Sequence, residues 1–216
     1  MITIGLIIGS TRPNRFADVP ARWLLEGASS HKDIEVELLD LRDQDLPFFS
    51  EPLSPLATHG VYSHPAAERW RRKIGQCDAF IATVAEYNHA PTAVLKNAFD
   101  SASLEWRRKP IGFVGYGGVG GARAIEHLRG VAIELQMAPI KSEVNIGYEP
   151  FLGVLAHGKK LEDFEFLAHS RAALFDDLLW WTRALKTARS CAQHDFAETR
   201  AARHNQTRKS DTASAV

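Results

Sequence analysis

Hydrophobic positions along the chain change their spacing several times, and each change marks an element. Ile2–Ile8 is an unbroken apolar run rich in β-branched residues. That pattern suits a strand buried on both faces of a parallel sheet. The turn Gly9-Ser10-Thr11-Arg12-Pro13-Asn14 follows. A helix is expected from Asp18, as N-cap with Pro20 in the first turn, to about Ser29. Ile34–Leu41 alternates and predicts a second strand. Residues 42–65 carry Pro47, Pro52, Pro55 and Pro65 with little periodicity. So long a loop in a compact domain is usually functional or an interface. A short helix over Ala66–Gly75 then precedes a third strand, Ala79–Val84.

Beyond Ala85-Glu86-Tyr87-Asn88-His89-Ala90, a helix is expected to open at Pro91. Val94, Leu95, Ala98, Phe99 and Ala102 fall on one of its faces. Ile111–Val114 predicts a fourth strand, running into Gly115-Tyr116-Gly117-Gly118-Val119-Gly120-Gly121. A helix to about Gln136, a fifth strand Ala138–Ile146 and a loop over Gly147–Lys160 complete the middle. The last long helix is expected over Glu162–Arg189, with an apolar stripe of Phe164, Leu167, Leu174, Leu178, Trp181 and Leu185. Acids in its first turn and bases in its last suit the helix dipole. Residues 190–216 lose periodicity and read as a mobile tail beyond a single domain at 1–189.

Strands alternating with helices imply a parallel sheet covered on both faces. Ligands in such sheets bind at the carboxyl ends of the strands, where strand order reverses. Three loops therefore carry the candidate chemistry. The first, Gly9 to Phe16, joins a buried strand to a helix N-terminus, where backbone N–H groups favour an anion. Ser10 and Thr11 add hydroxyls, and Arg12 and Arg15 add charge suited to phosphate; the plainer alternative is a solvated polar turn. The second, Glu86-Tyr87-Asn88-His89, offers polar edges and an aromatic face to a heterocycle, or simply caps a helix. The third matches GxGxxG over Gly115–Gly120. It follows the fourth strand rather than the first, and Glu134 lies in a helix, so it departs from a dinucleotide fingerprint. Glycines there either let a flat ligand approach the backbone or let loop pack on helix.

Composition narrows the class. The 216 residues hold 26 Lys+Arg and 26 Asp+Glu, a net charge of zero. That argues against nucleic acid or an anionic membrane as the main partner. Cys77 and Cys191 make neither a disulfide framework nor a cysteine zinc site, and no two histidines sit four apart on a helix, so no metal site is expected. The first apolar stretch is short and lacks a basic start, so no export signal is read and a cytoplasmic setting is expected.

Three segments together, GSTRPNRF, TVAEYNHAPTAVLKNAFDSAS and KPIGFVGYGGVGGARAIEHLR, resemble the NAD(P)H-dependent FMN reductase family, which includes quinone and chromate reductases. The resemblance spans roughly residues 1–187. It implies a flavodoxin-like three-layer sandwich with a five-stranded parallel sheet. It implies FMN as cofactor, NADPH (favoured) or NADH as co-substrate, a small-molecule acceptor, and a homodimer or homotetramer. Ser10, Thr11, Arg12, Asn14, Arg15 and Phe16 would take the FMN phosphate. Ala85, Glu86, Tyr87 and Asn88 would line the ring, and Gly115, Tyr116, Gly117 and Gly118 would close over it. No side chain need act as nucleophile or base, because the cofactor carries the chemistry. Ala85 stands where the family has proline, and Asn14 where many members have a small residue. Asn tolerates left-handed backbone better than most residues. The rival reading is a flavin-binding electron carrier without its own turnover. A phosphorylated receiver domain lacks its acidic cluster here.

Overall fold

The computed structural model describes residues 1–58 and 60–213, with side chains to residue 191. Its strands are β1 (Ile2–Ile8), β2 (Ile34–Asp40), β3 (Ala79–Ala85), β4 (Pro110–Tyr116), β5 (Ala138–Pro139) and β6 (Val144–Ile146). Its helices are α1 (Asp18–Ala28), α2 (Pro65–Gln76), α3 (Ala93–Asp100), α4 (Ala122–Glu134), α5 (Tyr148–Ala156) and α6 (Glu165–Ala213). All pairings between strands are parallel, in the order β2-β1-β3-β4-β5, with β6 also on β4. This is the flavodoxin-like order, whose reversal lies between β1 and β3.

The central strands β3 and β4 are buried at every residue, as continuous apolar runs require in a sheet covered on both sides. One core layer joins Ile4, Leu6 and Ile8 to Trp23 and Leu24 of α1 and Leu174 and Leu178 of α6. The other joins Ile7, Phe80 and Phe113 to Trp70 of α2, Phe99 of α3 and Leu128 of α4. The sheet thus lies between two helical layers. Among the described residues no helix is long and apolar enough to cross a membrane.

Several expectations are corrected in detail. Asp18 does not cap α1; Ala17 holds that position without a side-chain bond, because the Asp18 carboxylate accepts from Arg15 Nε at 2.8 Å. The third helix opens at Ala93, not Pro91, because the Thr92 hydroxyl caps it by accepting from Leu95 N–H at 3.2 Å. The fifth strand is two short pieces. Pro139 has no N–H to give a ladder, and the Ile140 and Lys141 carbonyls accept from Arg129 at 2.8 and 3.3 Å. The expected loop over Gly147–Lys160 contains α5. The stripe of α6 shifts: Phe164, Leu167, Leu174 and Leu178 are buried, with Phe175 and Leu179 beside them. Trp181 turns outward at 37 % exposure. The helix also runs past Arg189 to Ala213, while the side chains of the expected tail from residue 192 on lie outside the described residues.

Candidate active site

A cleft of about 300 Å³ opens at the carboxyl ends of β1, β3 and β4. It sits where the reversal of strand order predicts one. Ser10, Arg12, Asn14, Arg15 and Phe16 line it from the first loop, Ala85, Glu86 and Tyr87 from the second, and Tyr116 and Gly117 from the third. Ten of the fourteen expected residues thus meet in one place. Thr11, Asn88, Gly115 and Gly118 stand off its lining.

The first loop is pinned from behind. Gly9 N–H donates to Thr83 Oγ1 at 3.1 Å, and the Thr92 hydroxyl donates to Gly9 C=O at 2.6 Å. Asn14 adopts φ 51°, the left-handed conformation that Asn accommodates. The N–H groups of Thr11, Asn14 and Phe16 meet no acceptor among the described residues, so the loop faces outward as a ring of donors. Ser10 is 1 % exposed, and its hydroxyl hydrogen-bonds the Tyr87 hydroxyl at 3.1 Å.

The two arginines of this loop divide their labour, which residue type alone did not show. Arg15 is a strut. Its guanidinium donates to Asp40 Oδ1 at 2.7 Å, to Asp40 Oδ2, to Asp18 Oδ1 and to the Ser10 carbonyl. Its side chain is 3 % exposed. Burial opposes its charge, but the two carboxylates prevail and raise its pKa further. Burial likewise pushes Asp40 up, and the Arg15 and Arg42 hydrogen bonds more than offset it, holding Asp40 below the usual carboxylate range. Arg12 instead pairs with no carboxylate among the described residues. Its guanidinium lies 5.7 Å from the Tyr87 ring centre, a cation–π contact that leaves its donors toward the cleft free.

The second loop is a two-residue turn. Tyr87 N–H donates to Ala90 C=O at 2.9 Å and Ala90 N–H to Tyr87 C=O at 3.1 Å. Asn88 and His89 between them have φ 50° and 75°, as a type I′ turn demands. Two consecutive non-glycine residues in this region signal strain held for a purpose. Their N–H groups also meet no protein acceptor among the described residues.

Glu86 ties this turn to the third loop. Its carboxylate, 6 % exposed, accepts from Arg123 N–H at 3.2 Å and from the Arg123 guanidinium. Burial raises its pKa, but Arg123 and the amides opening α4 lower it overall. The glycine run splits by role. A Cβ on Gly115 would sit 2.4 Å from Gly120 O, so Gly115 serves loop packing. Gly117, at φ 137°, faces the cleft, and a Cβ on Gly118 would meet nothing within 4 Å. Gly115 and Tyr116 end β4 rather than starting the loop. Burial raises the Tyr116 phenol well above its ordinary value, with nearby Tyr87 adding to the shift.

Phe151 and Leu155 of α5 also line the cleft; neither was expected. The signals were there: Pro150 in a first turn, apolar residues at 151, 154 and 155, and Gly158 beyond the end. Gly158 adopts φ 65° as the helix stop.

The arrangement fits FMN. Free amides, Ser10 and Arg12 suit a terminal phosphate. Tyr87, the exposed N–H groups of the I′ turn and the bare backbone at Gly117–Gly118 suit a flat ring with polar edges. Fold and cleft together define a flavodoxin-like flavoprotein. Comparison with known proteins then places it: the chain belongs to the NADPH-dependent FMN reductase family, an oxidoreductase family using FMN and NAD(P)H, whose model matches residues 2–150. It is 34% identical over 136 residues to an NAD(P)H-dependent FMN reductase of Schizosaccharomyces pombe, covering 62% of this chain and 68% of that one. It is 36% identical over 146 residues to an NAD(P)H:quinone oxidoreductase of Solanum tuberosum, covering 63% of this chain and 70% of that one. In structure it resembles a flavoenzyme NAD(P)H:(acceptor) oxidoreductase of Paracoccus denitrificans, with TM-score 0.65 and 23% identity over 82% of this chain and 97% of that one.

Proposed function

We propose that the chain catalyses NAD(P)H + H⁺ + quinone → NAD(P)⁺ + hydroquinone, with NADPH the preferred donor. The observation that carries this is the meeting of an anion-binding loop and an open, glycine-floored aromatic slot at one switch point. FMN, when bound, supplies the redox chemistry by taking a hydride and passing the electron pair on. The chain's own residues bind and orient. Ser10, Thr11, Arg12 and the amides around Asn14 hold the phosphate, while Arg15 keeps the loop in shape through Asp40. Ala85, Glu86, Tyr87 and Asn88 align the ring edge, and Tyr116, Gly117 and Gly118 close one side, with Gly115 packing the loop behind them. The quinone-reducing relative supports the acceptor class.

The absorption spectrum of the purified protein, with identification of the released flavin, tests the central claim. A colourless chain that takes up no FMN sinks it. Steady-state rates with both nicotinamides test the preference, and equal or better use of NADH refutes it. FMN uptake without oxidation of either nicotinamide would point to an electron carrier instead.

We further assign a homodimer or homotetramer. Supporting it, Phe48, Leu53, Leu56 and Val61 stand 75%, 59%, 51% and 72% exposed on the proline-rich loop, more apolar surface than a monomer usually leaves in one segment. Sedimentation velocity at micromolar concentration reads this directly. Free Cys77 and Cys191 support a reducing, cytoplasmic setting, which fractionation of the source cell tests.

A further inference from the structure

The cleft has two unlike walls. One is polar: Ser10, Arg12, Asn14 and Glu86, each suited to a phosphate or to a polar ring edge. The other is Phe151 and Leu155 of α5. These two lie four residues apart, hence on one face of the helix. Phe151 is held by the core. Its ring is 4.6 Å from Phe16 and lies nearly parallel to Tyr116, at 11° and 6.4 Å. Leu155, one turn further along, is 56% exposed and presents a free apolar edge at the cleft. The opposite side of α5 is anchored, because a Cβ on Gly153 would sit 3.0 Å from Phe164 Cζ. A side chain there would have to push Phe164 and Lys159 aside by a few tenths of an ångström, so glycine suits the close fit that sets the 151/155 face at the cleft. The helix carries a single charged residue, Glu149.

We propose that Leu155 is a specificity-determining residue, and that the Phe151–Leu155 wall favours planar apolar ring acceptors over small anionic ones. The assignment rests on the FMN-dependent reductase reading above. An apolar ring against this wall loses water from both surfaces, whereas a hydrated anion gains nothing there and finds no cation on α5. Removing one apolar contact in such a site is worth about tenfold in discrimination.

The test uses the FMN-loaded enzyme, with 2-methyl-1,4-naphthoquinone and ferricyanide as acceptors, and the variants Leu155→Asn and Leu155→Met. Leu155→Asn is expected to lower the ratio of kcat/KM for naphthoquinone over that for ferricyanide about tenfold. The loss should fall on KM, the mark of lost binding rather than lost chemistry. Naphthoquinone affinity for the oxidised enzyme, read by perturbation of flavin absorption, should weaken in parallel. Leu155→Met should keep both within about twofold. An unchanged ratio and affinity in Leu155→Asn, with wild-type FMN content and turnover, overturns the assignment alone. So does a matching loss of FMN affinity, which would make Leu155 a cofactor contact. A wild-type chain that binds no FMN overturns this proposal and the reading beneath it together.

Discussion

The two ends of the sheet use the same polar chemistry to opposite ends. At the amino ends of the strands the strong groups of Asp78, Lys109, Lys186 and Arg189 are spent internally. The Asp78 carboxylate accepts from Thr3 N–H at 3.1 Å, Lys186 Nζ at 2.6 Å and Arg189 at 3.3 Å. Lys109, pulled down to about 8 by burial, donates to the Ile74 and Gly75 carbonyls at the end of α2. At the carboxyl ends, loop amides point outward unpaired, and Asn14, Asn88 and His89 hold left-handed backbone. One end is a clasp that closes α6 onto the sheet. The other leaves its loop donors without a protein acceptor among the described residues. Within that second end, Arg15 behaves like the clasp and Arg12 like the ligand site.

The largest effect is expected from Arg15→Ala, which strands Asp40 half-buried without its partner. It should lower the unfolding free energy by about 4 kcal/mol, measured by urea denaturation. A loss under about 1 kcal/mol would move Arg15 from the structural side of the comparison to the ligand side. Asp78→Ala should cost about 2 kcal/mol by breaking the clasp, yet leave FMN affinity within about twofold. A large loss of FMN would show that the two ends are coupled.

The third test is one of pH. Because Asp40 sits below its unfolded value, its contribution is complete above the unfolded carboxylate pKa, about 3.9. It is lost as pH falls through the folded value. The stability gap between wild type and Asp40→Asn should therefore be open at pH 7 and narrow at pH 3. Equal gaps would reject the pairing as its source. Arg12→Ala should weaken FMN binding about tenfold with no change in urea midpoint, read by fluorescence titration of the apoprotein. Removal of residues 190–216 should change flavin content least of all. A marked loss of flavin would refute the reading of that segment as a tail outside the domain.

How much of this was legible differs by element. Ile2–Ile8, the third and fourth strands and the α3 face were plain, because continuous or strictly periodic apolar residues answer to one environment. The break at Pro139 and Arg129, and the turning of Trp181 outward, were not. Both depend on what a distant segment offers as partner. Helix α5 was missed because its apolar residues serve two places at once, the core through Val154 and the cleft through Phe151 and Leu155. A helix serving two surfaces shows no single stripe.

The sequence alone determined the alternation of the first four strands with their helices, the class of sheet, the three loops at its carboxyl end and, through their motifs, the family. These follow from local spacing and from chain connectivity, which a linear reading contains. Tertiary structure decided which loop residues are free to act. Arg12 and Arg15 are chemically alike and three positions apart. Asp40, brought up from the end of β2 by sheet pairing, claims one and leaves the other. A charge's role depends on the nearest opposite charge in space, and only the fold sets that distance.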